Sequence, residues 1–135
     1  MEREGRAEIV FSLRLRLHLE LRSLEEATQA LRSLVGPVRS EPGCSATRLL
    51  RDLDDPCVVA FVEEWRSLDD LKQHLKSAAF RKILAVMELA TSAPTVEFDE
   101  ITSRRGFDLV EEILGHGSLD VSDGMSSPQA AASGE

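Results

Sequence analysis

The sequence predicts an α+β domain of ferredoxin-like βαββαβ type, built on a four-stranded antiparallel sheet. Three observations carry this: a long stretch of strict two-residue alternation, two amphipathic helical stretches that each follow a strand pattern, and an internal repeat across those two junctions. A chain of 135 residues, 42% hydrophobic and 30% charged, suits one folded domain with one core.

The first strand pattern covers residues 9–21, where Phe11, Leu13, Leu15, Leu17, Leu19 and Leu21 alternate with Ser12, Arg14, Arg16, His18 and Glu20. Successive side chains of a strand point to opposite faces, so one face is apolar and meets the helices while the other presents two arginines. Buried arginines need partners. An ion pair is expected to join Arg14 or Arg16 to at least one of Glu63 or Glu64 on the third strand and Glu97 or Asp99 on the fourth, within or across subunits. Ser23 offers an N-cap with Glu26 at capping-box spacing, and Leu24, Ala27, Leu31, Leu34 and Val35 form one helical stripe. Gly36-Pro37 is expected to kink or interrupt that helix, and Glu41-Pro42-Gly43 to end whatever continues.

Cys44–Arg51 reads as a second strand, Asp52–Pro56 as a turn, and Cys57–Trp65 (CVVAFVEEW) as a third, more apolar and therefore central strand. Ser67 and Asp70 repeat the cap spacing before Leu68, Leu71 and Leu75. Ser77 caps a further segment carrying Phe80, Ile83, Leu84 and Met87, which Pro94 stops. Residues 95–101 (TVEFDEI) complete the sheet. Phe107, Val110, Ile113 and Leu114 then form a short helix, 107–114, taken as part of one domain over 1–114. From Gly115 to 135 the composition turns to Gly, Ser, Ala, Asp and Pro, which reads as a flexible tail.

The repeat aligns RSLEEATQALRSL (22–34) with RSLDDLKQHLKSA (66–78). Two such strand–helix units make a ferredoxin-like domain with both helices on one face of the sheet. The other face is left open, and a small sheet with an open face is expected to find a partner.

Composition narrows the function. A net charge of −8 and a lack of clustered Lys and Arg argue against nucleic-acid binding. No apolar run approaches the roughly 20 residues of a membrane span. Arg14, Arg16, His18 and Glu20 break up the N-terminal leucine stretch, so it reads as a strand of a cytoplasmic protein and not as a signal peptide. Cys44 and Cys57 fit no zinc or CxxC spacing and are expected to be buried free thiols. His18, His74 and His116 form no ligand-spaced pair, so no metal is expected, and there is no phosphate-binding glycine loop, dinucleotide fingerprint or nucleophile elbow.

Residues 43–80 resemble the antibiotic-biosynthesis monooxygenase family. The marks are Glu41-Pro42-Gly43-Cys44 opening strand two, the Asp-rich turn ending at Pro56, Glu64-Trp65 closing strand three, and His74 followed by Phe80. The likeness runs from about residue 9 to 101, and the segment after Arg105-Gly106 is similar to a C-terminal helix that some members carry. The resemblance implies a homodimer whose sheets form a dimeric α/β barrel with the helices outside. It also implies an oxygenase of aromatic polyketides, quinols or haem, the first two often without metal or flavin.

Such chemistry needs an apolar pocket, a proton acceptor and orienting donors around an electron-rich substrate. Trp65 and His74 are the candidate catalytic residues that match family marks, with Phe61, Phe80 and Leu71 as candidate substrate-binding wall. Their repeat counterparts support the choice, since Leu21 stands opposite Trp65 and Ala30 opposite His74. Haem-degrading relatives use an Asn on strand one, and this chain has no Asn, which argues against that branch; it also has no Tyr, and Ala79 stands where relatives often carry His. The expectation is a cofactor-independent monooxygenase of a small aromatic or quinol-type substrate. The alternatives are a non-catalytic dimeric module that binds a hydrophobic metabolite, and a structural dimer with no ligand.

Overall fold

A computed structural model describes residues 8–115. The expected flexible tail therefore lies, apart from Gly115, outside the described residues. The elements run β1 Val10–His18, α1 Leu21–Arg39, β2 Cys44–Arg51, β3 Val58–Trp65, α2 Leu68–Leu75, α3 Ala78–Met87, β4 Thr95–Ile101 and α4 Phe107–Leu114. The strands form one antiparallel sheet in the order β2-β3-β1-β4, which is the ferredoxin-like arrangement. The chain divides after Ser103 into two compact units. In the second, Arg105 pairs with both Asp108 and Glu112 along α4, and Gly115 ends the helix with φ +77°.

Alternation sets the faces of β1 as expected. Leu13, Leu15 and Leu17 are buried, whereas Arg14, Arg16 and His18 are exposed. The buried row joins Val59, Phe61 and Trp65 of β3 and Leu24, Ala27, Leu31, Leu34 and Val38 of α1 in one core, completed by Leu71, Ile83 and Val86. The third strand is central, as its composition implies.

Three expectations need correction. β1 stops at His18, with Leu19 in an isolated bridge to Ala90, so Leu21 belongs to α1 and is 77% exposed. Ser23 is consequently not a cap: Glu20 holds that position and makes no side-chain capping bond. The second copy of the repeat does cap, since Ser67 Oγ accepts from the Asp70 backbone N–H at 3.0 Å. Pro37 does not interrupt α1, which continues to Arg39. It stands in the last turn, where a missing N–H removes a single bond, and the wholly buried Val38 anchors that turn to the core. The ion pair expected on this strand is present, since Arg14 faces Glu97 at 3.8 Å, and Arg16 faces Asp52 of the β2–β3 turn at the same distance.

The two cysteines are half-buried free thiols. Burial foremost pushes the Cys44 thiol above its ordinary pKa, against the hydrogen bond with Thr47, so it stays protonated and unreactive. No helix among the described residues is long and apolar enough to cross a membrane.

Candidate functional site

The most heavily charged part of the interior lies where β3 ends, α2 ends and the turn after α1 meet. Residues i and i+2 of a strand share a face, so Phe61, Glu63 and Trp65 all point to the helix side of β3, and each is at most 1% exposed. Glu63 is thus not the outward partner expected for Arg14 or Arg16. Its carboxylate instead accepts from Trp65 Nε1 at Oε1 and from His74 Nε2 at Oε2, both at 2.9 Å. The other ring nitrogen of His74, Nδ1, lies 2.9 Å from Glu41 Oε1.

Local sequence explains how three distant residues meet. The Ser67 cap starts α2, and Ser67 Oγ also donates to Asp70 Oδ2 at 2.9 Å, which places His74 in the helix's last turn. Glu41 sits in the turn closed by its own N–H to Val38 O and by Cys44 N–H to Glu41 O. Gly43 then binds that turn to the start of α2. Its φ is +82°, its carbonyl accepts from Arg66 N–H at 2.8 Å, and the Asp70 carboxylate fills the space where a Cβ would project. Only glycine serves here.

Two carboxylates on opposite sides of one imidazole fix its charge. Ionised carboxylates only accept hydrogen bonds, so meeting both contacts requires N–H at both ring nitrogens, an imidazolium. Burial by itself pushes the His74 pKa down, but the hydrogen bonds and charges of Glu63 and then Glu41 outweigh it, and the pKa stands above 6.5. The C-terminal turn of α2 favours the same charge. Glu41, with its side chain 21% exposed, is the member that reaches the surface, whereas His74 and Glu63 are sealed. Because the carboxylates lie on opposite ring edges, their oxygens do not converge with a nitrogen on one point, and no metal-binding cluster occurs among the described residues.

The structure joins some of the expected site residues and not others. Trp65 stacks on His74 with ring centroids 4.7 Å apart, and Phe80 meets the same imidazole edge-on at 5.4 Å. Phe61 and Leu71 are core residues of the same hydrophobic cluster. The pocket expected beside Trp65 and His74 is not where the described clefts lie; both are formed on α1, and none of these five residues lines either. Sequence reasoning missed Glu63 and Glu41 as members. For Glu63 a signal existed, a carboxylate at strand parity with Phe61 and Trp65. For Glu41, 33 residues from His74, the one signal was its place in the Glu41-Pro42-Gly43-Cys44 mark, which was read only as the entry to strand two.

Fold and interior together define a small ferredoxin-like α+β protein with a carboxylate–imidazolium–carboxylate network under an aromatic stack. The sequence matches the family model for antibiotic biosynthesis monooxygenase over residues 16–86, and the chain belongs to that family. Among curated proteins the sequence finds no match. Solved structures with the same fold include Rv0793 from Mycobacterium tuberculosis, at TM-score 0.65 and 20% identity, covering 72% of this chain and 99% of that one. PA3566 from Pseudomonas aeruginosa aligns at TM-score 0.61 and 24% identity, covering 75% and 100%. A protein described as an antibiotic biosynthesis monooxygenase aligns at TM-score 0.63 and 23% identity, covering 69% and 99%.

Proposed function

We propose that this chain is a cofactor-independent monooxygenase that oxidises a small aromatic or quinol-type substrate with dioxygen. The observation that supports this best is the Glu41–His74–Glu63 network, a buried charge assembly that can take up one proton and reaches the surface at a single carboxylate. In this reading the proton acceptor is Glu41. His74 as an imidazolium has no lone pair to offer, so it acts as a positioning residue that holds Glu41, as Glu63 in turn holds His74. Trp65 and Phe80 supply the aromatic wall, with Phe61 and Leu71 behind them.

For an anthrone-type methylene the reaction balances without a reductant. The substrate gives a proton to Glu41, its carbanion passes an electron to dioxygen, and the resulting radicals combine to a peroxide anion that takes the proton back. Loss of water leaves one oxygen atom on carbon as a ketone. Two copies pack through the outward sheet face, where Ala60 and Val62 are half-buried and Arg14, Arg16, Glu97 and Asp99 alternate in charge. The free thiols suit the cytoplasm.

Oxygen uptake by the full chain with a panel of anthrones and hydroquinones tests this. Turnover above the protein-free rate is expected, and no uptake with any of them would contradict it. The second reading, a dimeric module binding a hydrophobic metabolite without turnover, is favoured by one observation: the described clefts lie away from Trp65 and His74.

A further inference from the structure

A trough runs between α1 and the edge strand β2. It comprises a cleft of about 650 Å³ and an adjoining one of about 430 Å³, which share Thr28, Arg32 and Arg51. The floor of the larger is apolar, from Val35, Leu49 and Val59. Strand parity makes Arg51 unusual. It pairs with Val59 and so belongs to the helix-side row of β2, whose earlier members are the buried Thr47 and the half-buried Leu49. On α1, Thr28, Arg32 and Val35 are spaced to share one side of the helix, and all three line this cleft.

Among the described residues neither guanidinium has a hydrogen-bond or ion-pair partner. Acidic residues outnumber basic ones by 24 to 16, and Arg14, Arg16, Arg22 and Arg105 each have a carboxylate within 4.0 Å. Arg32 and Arg51 have no acidic partner among the described residues, although both line the same two clefts. Two like charges facing one trough repel each other until an anion lies between them. Arginine's planar fork matches a carboxylate in particular. Glu25 lines only the smaller cleft, so an anion's apolar body is directed the other way, over Val35, Leu49 and Val59.

We infer that this trough binds an amphipathic organic anion, its carboxylate held by Arg32 and Arg51 and its apolar body lying on Val35, Leu49 and Val59. The site is separate from Glu41, and its occupancy does not depend on the oxygenase reading. Calorimetric titration of the full chain with 2-naphthoate tests it, with 2-naphthylmethanol and 2-naphthylmethylammonium as the neutral and cationic comparators. The naphthoate is expected to bind best, to shift the amide resonances of Val35 and Leu49, and to weaken as ionic strength rises. Arg32→Ala and Arg51→Ala should each weaken binding about tenfold or more, since each removes a charge-assisted contact. Both side chains are exposed, so the variants should melt as wild type does; an R51K variant serves if one does not, and should recover part of the affinity. Glu41→Gln should bind naphthoate unchanged. Equal binding of the three probes, no naphthoate binding at millimolar concentration, or binding sensitive to Glu41→Gln but not to the arginines would overturn the assignment.

Discussion

His74 Nε2 lies 2.9 Å from Glu63 Oε2, and neither side chain has any exposure to solvent. A buried charge pair is fragile in a specific way. The two charges offset each other's desolvation, so the pair adds little net stability, but removing one leaves buried polar groups unmet. Glu63→Ala leaves His74 with Glu41 as its remaining carboxylate and Trp65 Nε1 without its buried acceptor, so it should destabilise the fold by about 1–3 kcal/mol. Urea denaturation measures this, and a loss below about 1 kcal/mol would mean the charge finds water or another partner.

Trp65→Phe tests the second acceptor site of the same carboxylate. The ring can still stack on His74, but Glu63 Oε1 loses the indole N–H. A cost of about 1–3 kcal/mol is expected for the unmet buried oxygen, with the midpoint shifted and the denaturant slope unchanged.

The pH dependence has a definite sign. His74 has a folded-state pKa raised above its unfolded value of 6.5, so its stabilisation is complete below about pH 6.5 and is lost as pH rises through the folded value. The stability gap between wild type and His74→Gln should be widest in mildly acidic buffer, above the carboxylate range, and should narrow toward alkaline pH. A gap that widens with pH would show that the ring is buried neutral.

Gly43→Ala probes how Glu41 is held. The substitution needs a left-handed backbone conformation and collides with the Asp70 carboxylate of α2. A loss of about 1–3 kcal/mol is expected from the conformation alone. Oxygen uptake should fall as well, because Glu41 moves away from His74. Full activity in a folded Gly43→Ala variant would separate the turn from the site.

Much of the fold was legible because it rests on period and punctuation. The β1 alternation gave its faces, the apolar β3 its central place, and Ser67 and Ser77 their caps. The start of α1 was not, because its Ser23 mimics the Ser67 cap while the real break is set by tertiary bonds: Leu19 N–H to Cys57 O at 2.9 Å, and the Leu19–Ala90 bridge. Trp65 and His74 stood out by contrast with Leu21 and Ala30 in the repeat. Their charged partners did not. Glu63 was assigned to the wrong face despite its parity with Trp65, and Glu41 is brought to His74 by tertiary packing of its turn on the start of α2, through Arg66 N–H to Gly43 O.

The charge state of His74 decides most directly whether the network is what the account requires. Nitrogen NMR of the histidine-labelled full chain at pH 7 reads it without any substrate. The predicted result is a His74 ring with protons on both nitrogens, and a lower pKa in Glu63→Gln. A neutral ring with one bare nitrogen at pH 7 would contradict the account, and would return the role of proton acceptor from Glu41 to His74.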